Sequence, residues 1–167
     1  MKLFSKLPLL VLIFALFILT GCPYSATVPI DTPSIAINKK LIGKWVKDSE
    51  GTKPEEAEYL VFSQSNANTY KIEKYTFDTE KKEHKLDQTY EGHFSKVGKY
   101  DFFNMKTDDK YYFYKIEYMN GNDLKMFEVT DNIDETFDNS AALKAFFQKH
   151  ADLTFFYNKD ESKYKRN

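Results

Sequence analysis

From residue 41 onward the chain is a series of short aromatic and β-branched runs, each stopped by a cluster of turn residues at the spacing of an antiparallel meander. Leu86, Gln88, Tyr90, Gly92 and Phe94 share one parity. Tyr112, Tyr114, Ile116 and Tyr118 do the same against Lys115 and Glu117. A period of two puts alternate side chains on opposite faces of a sheet, so one face is expected in and one out. The pattern predicts strands over 42–47, 58–64, 69–78, 85–96, 100–106, 111–119 and 123–130, with two shorter ones over 153–157 and 162–166. Among the separators, Asn120-Gly121 is the strongest hairpin signal, because both residues accept the positive φ angles that a tight turn demands. Only residues 140–150 break the rule. Leu143, Phe146, Phe147 and His150 recur at helical spacing, Ser140 is placed to cap the start, and Lys149 and His150 suit the C-terminal dipole. This helix is expected outside the sheet, with Leu143, Phe146 and Phe147 against the outward aromatics of the 111–118 strand.

The first 21 residues are of a different kind. Lys2 and Lys6 precede an uncharged run from Leu7 to Leu19, which is followed by Leu19-Thr20-Gly21-Cys22. That is the layout of a signal peptide, and the run is shorter than the roughly 17 residues a spanning helix needs. The sequence LTGC resembles the lipobox of bacterial lipoproteins. The resemblance implies that Cys22 becomes the lipidated first residue of the mature chain, held in the membrane by its acyl chains, because one chain alone binds only reversibly. The expected location is the bacterial cell envelope. In a Gram-negative cell Pro23 after the cysteine, in place of Asp, implies sorting to the outer membrane. Residues 22–40, with three prolines and no clear period, read as a flexible tether between the anchor and a folded domain over 41–167.

Composition narrows the function classes. Lysine and arginine number 24 against 25 acids, and removal of the leader takes two lysines and no acid, leaving an acidic excess of three. No nucleic-acid partner is expected from such a balance. A single cysteine excludes an intrachain disulfide and a cysteine-based metal cluster. His84, His93 and His150 have no spacing that would bring two onto one face of one element, so no metal site is predicted, and His93 reads as a cross-strand or surface residue. The acidic stretch from Asp131 to Asp138 lacks the spacing of a calcium loop and reads as a solvated connection. No nucleophile motif or phosphate-binding glycine loop is present, so no catalytic residue and no cofactor are assigned.

Leu41-Ile42-Gly43-Lys44-Trp45-Val46, opening the first strand of a hairpin-rich meander with one late helix, resembles the lipocalin-like (calycin) family through its Gly-x-Trp. The resemblance implies a closed or nearly closed antiparallel barrel with a short C-terminal helix outside, whose end is plugged by Trp45 and covered by an arginine. Arg166 is the sole arginine, so the two are expected face to guanidinium, within about 6 Å. Small barrels hold ligands in their mouths, and pockets favour aromatic walls. Tyr90, Phe94, Tyr112, Tyr114 and Tyr118 are therefore the candidate ligand-binding residues, for a small apolar or amphipathic molecule. The alternative is a solidly filled barrel whose outward aromatics, Tyr111 to Tyr114 among them, dock on another envelope protein. An interior cavity separates the two readings.

Overall fold

A computed structural model describes residues 22–158 and 161–167. The leader expected over 1–21 lies outside the described residues. Nine strands form in chain order: β1 (Ser25–Ala26), β2 (Gly43–Lys47), β3 (Tyr59–Gln64), β4 (Tyr70–Asp78), β5 (Glu83–Val97), β6 (Tyr100–Thr107), β7 (Lys110–Met119), β8 (Asp123–Glu128) and β9 (Ser162–Arg166). One helix, α1 (Ser140–His150), lies between β8 and β9. Strands β2 to β8 run as a meander, each antiparallel to the next, and β9 inserts between β8 and β2 to close an eight-stranded barrel. The fold is thus mainly β, with a closed antiparallel barrel and the short helix packed outside. Strand β1 adds to the outer edge of β7, pairing Ser25 with Tyr112 and Ala26 with Tyr111.

Two cores result from the two faces of this sheet. The inner one fills the barrel with Trp45, Leu60, Phe62, Tyr70, Ile72, Phe94, Phe103, Met105, Leu124, Met126 and Tyr164. Its density is visible at Gly92, where an added Cβ would stand 2.5 Å from the Phe103 ring. The outer core lies between the barrel wall and the segments that cover it. There Val97, Phe102 and Phe113 meet Tyr24, Ala26 and Ile30 from the N-terminal segment, and Leu143, Phe147 and Phe156 from the helical region. Phe147 is the hub, with ring centroids 5.2 Å from Phe102, 5.1 Å from Phe113 and 5.0 Å from Phe156. Four consecutive aromatics from Tyr111 to Tyr114 must split between the two faces, and Phe113 takes the outward place under the helix.

Several expectations need correction. Residues 22–40 are not a free tether: Tyr24, Ala26 and Ile30 are buried, and the backbone of Cys22 and Tyr24 bonds to Asp131 and Val129. Their apolar side chains lack a period because they fit a surface already formed and build no sheet of their own. Asn139, not Ser140, caps α1, its side chain accepting from the Ala142 N–H. Phe146 is only half-buried, against Phe137 and His150, and Phe147 carries the contact with the sheet. Residues 153–157 form a 3-10 turn (Thr154–Phe156) instead of a strand, with Tyr157 in one isolated bridge to Val129. Strand β8 ends at Glu128. The hairpin at Asn120-Gly121 forms without positive φ at either residue, because the Asn120 carboxamide accepts from the Asn122 and Asp123 N–H groups and holds the turn itself.

Candidate functional site

The two ends of the barrel differ. At one end Trp45 is fully buried, its indole N–H donating to Leu41 O at 2.8 Å. Arg166, its cross-strand partner, sets its guanidinium carbon 4.6 Å from the indole centroid. The same guanidinium donates to Gly121 O, Ile42 O and Lys40 O, gathering three chain segments over the end of the barrel. Gly43 makes this possible. Its φ is +127°, and a Cβ there would come within 2.9 Å of the Arg166 Nη1. In Gly-x-Trp, then, the glycine leaves space for the arginine that covers the tryptophan.

The other end is open and polar. A cavity of about 170 Å³ lies there, lined by Lys47, Glu58, Leu60, Lys74, Tyr90, Met105, Tyr114, Met126, Glu128, Ser162 and Tyr164. Each strand reaches it by continuing its inward parity one step past its last apolar residue. Lys47 follows Trp45, Lys74 follows Ile72 and Glu128 follows Met126, while Glu58 precedes Leu60. The Glu58 carboxylate lies 3.1 Å from the Lys74 ammonium and 3.7 Å from that of Lys47. Glu128 accepts from the Tyr114 hydroxyl at 2.8 Å and from the Asn158 amide at 2.7 Å, and among the described residues no cation pairs with it.

Burial raises the pKa of Tyr114 well above the ordinary phenol value, and the Glu128 carboxylate raises it further. Burial likewise raises Tyr164, helped by Glu58. Tyr90 is raised for the same first reason. All three remain neutral hydroxyls at physiological pH. Burial works against the Lys74 ammonium, but Glu58, Tyr90 and Asp87 together outweigh it, and its pKa is raised. The mouth is therefore two ammonium groups, two carboxylates and three phenols around an apolar floor, a set that can bind both ends of a dipolar molecule.

Of the residues the sequence nominated, Tyr90 and Tyr114 line this cavity. Phe94 does not. It sits deeper, 4.9 Å from Phe103 and 5.9 Å from Tyr70, as part of the filling. Tyr112 is half-buried and outside the cavity lining. Tyr118 is 44% exposed, because the register shifts between Ile116 and Tyr118 and the inward parity is lost. Lys47, Glu58, Lys74, Glu128 and Tyr164 were missed, although their parity with buried neighbours places each on the inward face.

The histidines do not converge on this site. His93 is buried on the outward face of β5, its Nε2 2.7 Å from Asp31 O, instead of lying at the surface. A carbonyl only accepts, so Nε2 carries the proton, and burial lowers the His93 pKa against the opposing pull of Asp31 and Glu91. Beside it Asn104, fully buried, accepts from Ile30 N–H at 2.9 Å and donates to His93 O and Ser95 Oγ. The pair latches the N-terminal segment to the wall. His84 bonds to Ala57 O on the opposite side of the barrel. Among the described residues no three His, Cys, Asp or Glu side chains are placed to hold a metal ion. No protein-family model, no curated protein and no solved structure matches this chain.

Proposed function

We propose that this chain is a lipid-anchored protein of the bacterial cell envelope whose barrel binds a small amphipathic ligand at its polar mouth. The anchor rests on the leader and LTGC, with Cys22 exposed and unpaired at the start of the described chain. The ligand reading rests on one observation, the cavity bounded by Tyr90, Tyr114 and Tyr164 with Glu58, Lys74 and Glu128 at its rim. Its polar rim and small volume favour a dipolar or zwitterionic molecule over a purely apolar one, whose transfer would leave these groups desolvated without partners. A panel of short-chain amines, carboxylates and zwitterions, titrated while the tyrosine resonances are followed, is the test. Binding that moves Tyr90 and Tyr114 and is lost in Glu128→Gln supports the reading. A panel without effect, or effects unchanged in that variant, counts against it. For the anchor, fatty-acid labelling should mark the wild-type chain and not Cys22→Ala.

A second reading, docking on an envelope protein, draws support from the far wall. There Tyr59 stacks on Tyr75 at 4.7 Å under the Lys44 ammonium, and a groove of about 650 Å³ runs between Lys44, Tyr59, His84 and the 48–55 loop. Pull-down of one envelope protein by the wild type and not by Tyr75→Asp would favour it.

A further inference from the structure

The segment after Cys22 does not stand away from the barrel, and this sets which part of the protein an anchor would bring to the membrane. The Asp131 N–H donates to Cys22 O at 2.9 Å, and Pro23 bridges to Thr130. On the other side of that strand, Thr130 N–H donates to Phe156 O at 3.2 Å, and Asn132 Nδ2 to Phe155 O at 3.1 Å. Cys22 and the 3-10 turn that carries Phe155 thus flank the Thr130–Asn132 segment on its two sides, both tied to it by hydrogen bonds. Phe155 is 54% exposed and Leu153 39%, a pair of large apolar side chains facing water beside the point where the leader joins the fold. Phe156, the next residue after Phe155, points inward and is fully buried, so the 3-10 turn leaves Phe155 facing out.

We infer that Leu153 and Phe155, together with Pro23, form a membrane-contacting face that seats the barrel directly on the lipid surface around Cys22. The inference rests on the lipid-anchor reading of that cysteine. The chain preceding the described residues ends at this face, and no free spacer intervenes between an acylated Cys22 and the buried Tyr24. Amphipathic surfaces of this kind sink to the boundary between head groups and acyl chains, with depth set by the apolar area they bury. Exposed Asp131 is hydrogen-bonded to Cys22 at this face, so the matching surface carries zwitterionic head groups in preference to anionic ones. Strand β8 runs from the plugged end to Glu128 at the mouth, and Thr130 follows two residues later. The anchor therefore lies at the mouth end, and the cavity opens on the side nearest the bilayer.

The test places a nitroxide at Leu153→Cys, Phe155→Cys or, as a control at the plugged end, Tyr118→Cys, all exposed positions. Each full-length, processed protein is reconstituted in phosphatidylcholine vesicles, and collisions with oxygen and with a water-soluble nickel chelate are compared. The expected result is a shift toward oxygen at 153 and 155, with 118 remaining in water. Labels at 153 and 155 as accessible to nickel as the label at 118 overturn the inference. The mass of the mature N-terminus is read on the same samples. A lipidated Cys22 with water-exposed labels refutes the seating alone, whereas an unmodified Cys22 removes the anchor and the seating with it.

Discussion

The inner and outer cores are built from the same residue types by different rules. Inside the barrel every aromatic is placed by strand parity, so Phe62, Tyr70, Phe94 and Phe103 face one another across the closed sheet. Outside, the sheet contributes only half of the contact. Phe102 and Phe113 are buried because Tyr24, Ile30, Leu143 and Phe147 cover them, while on the opposite wall Tyr59 and Tyr75 have the same outward parity and stay half-exposed. Parity decides which face a side chain takes, and a covering segment decides whether that face is dry. The two walls of one barrel therefore differ in how much of their apolar surface is kept from water.

The largest break in this comparison should come at the hub. Phe147→Ala should cost about 3 to 5 kcal/mol in chemical denaturation, transfer and cavity contributions together, whereas Tyr75→Ala on the bare wall should cost under about 1 kcal/mol. Equal losses would mean that the outer core adds little beyond surface contact. Phe146→Ala should fall between them, since that ring is half-buried on Phe137 and His150.

Asn104→Ala tests the latch. It leaves the buried Ile30 N–H without an acceptor and should cost about 2 to 3 kcal/mol. Amide exchange at residue 30 should rise well before exchange at Phe62 or Tyr70. Uniform acceleration across both cores would instead show them unfolding as one unit.

Arg166→Ala bears on the inner core. Loss of the cation over Trp45, the packing of its stem and three carbonyl contacts should cost about 2 kcal/mol. Trp45 fluorescence should shift to the red. A normal spectrum with unchanged stability would reduce the guanidinium to a surface group.

The smallest effect is expected from pH. His93 has its folded pKa below its unfolded value of about 6.5, so between those two values the unfolded chain binds the extra proton. Its contribution is fully present above pH 6.5 and is lost as pH falls through the window below that value. Denaturation at pH 7.5 and 5.5 should show a loss that His93→Gln largely removes. The same loss in both proteins would assign it to other groups.

Much of this architecture was legible in the sequence, for a local reason. Alternation within one strand records which face is buried, and so β2 to β8 and β9 fall within a few residues of where the runs and turn signals place them. α1 was legible because Leu143 and Phe147 keep helical spacing. What escaped were contacts that depend on a partner far along the chain. Tyr24, Ala26 and Ile30 have no period, and only the finished wall of β5 to β7 gives them a place to bury. The mouth escaped for a different reason. Lys47, Lys74 and Glu128 are of residue types that ordinarily face water, while their parity with Trp45, Ile72 and Met126 turns them inward.

The closing strand carries a consequence for the order of assembly. Strands β2 and β9 are neighbours in the ring, yet β9 is the last element among the described residues, and Trp45 finds Arg166 only after α1 and all intervening strands have been made. Sheets whose pairings span the whole sequence form slowly, because the entropy of closing the loop is lost before any contact compensates for it. A chain emerging N-terminus first can pair its hairpins in turn, but it holds an open sheet with two bare edges until Ser162–Arg166 arrives. Completion of the barrel thus waits for Ser162–Arg166, the strand furthest along the chain from Trp45. A ribosome or translocon that pauses before the last strand leaves the sheet exposed at both margins.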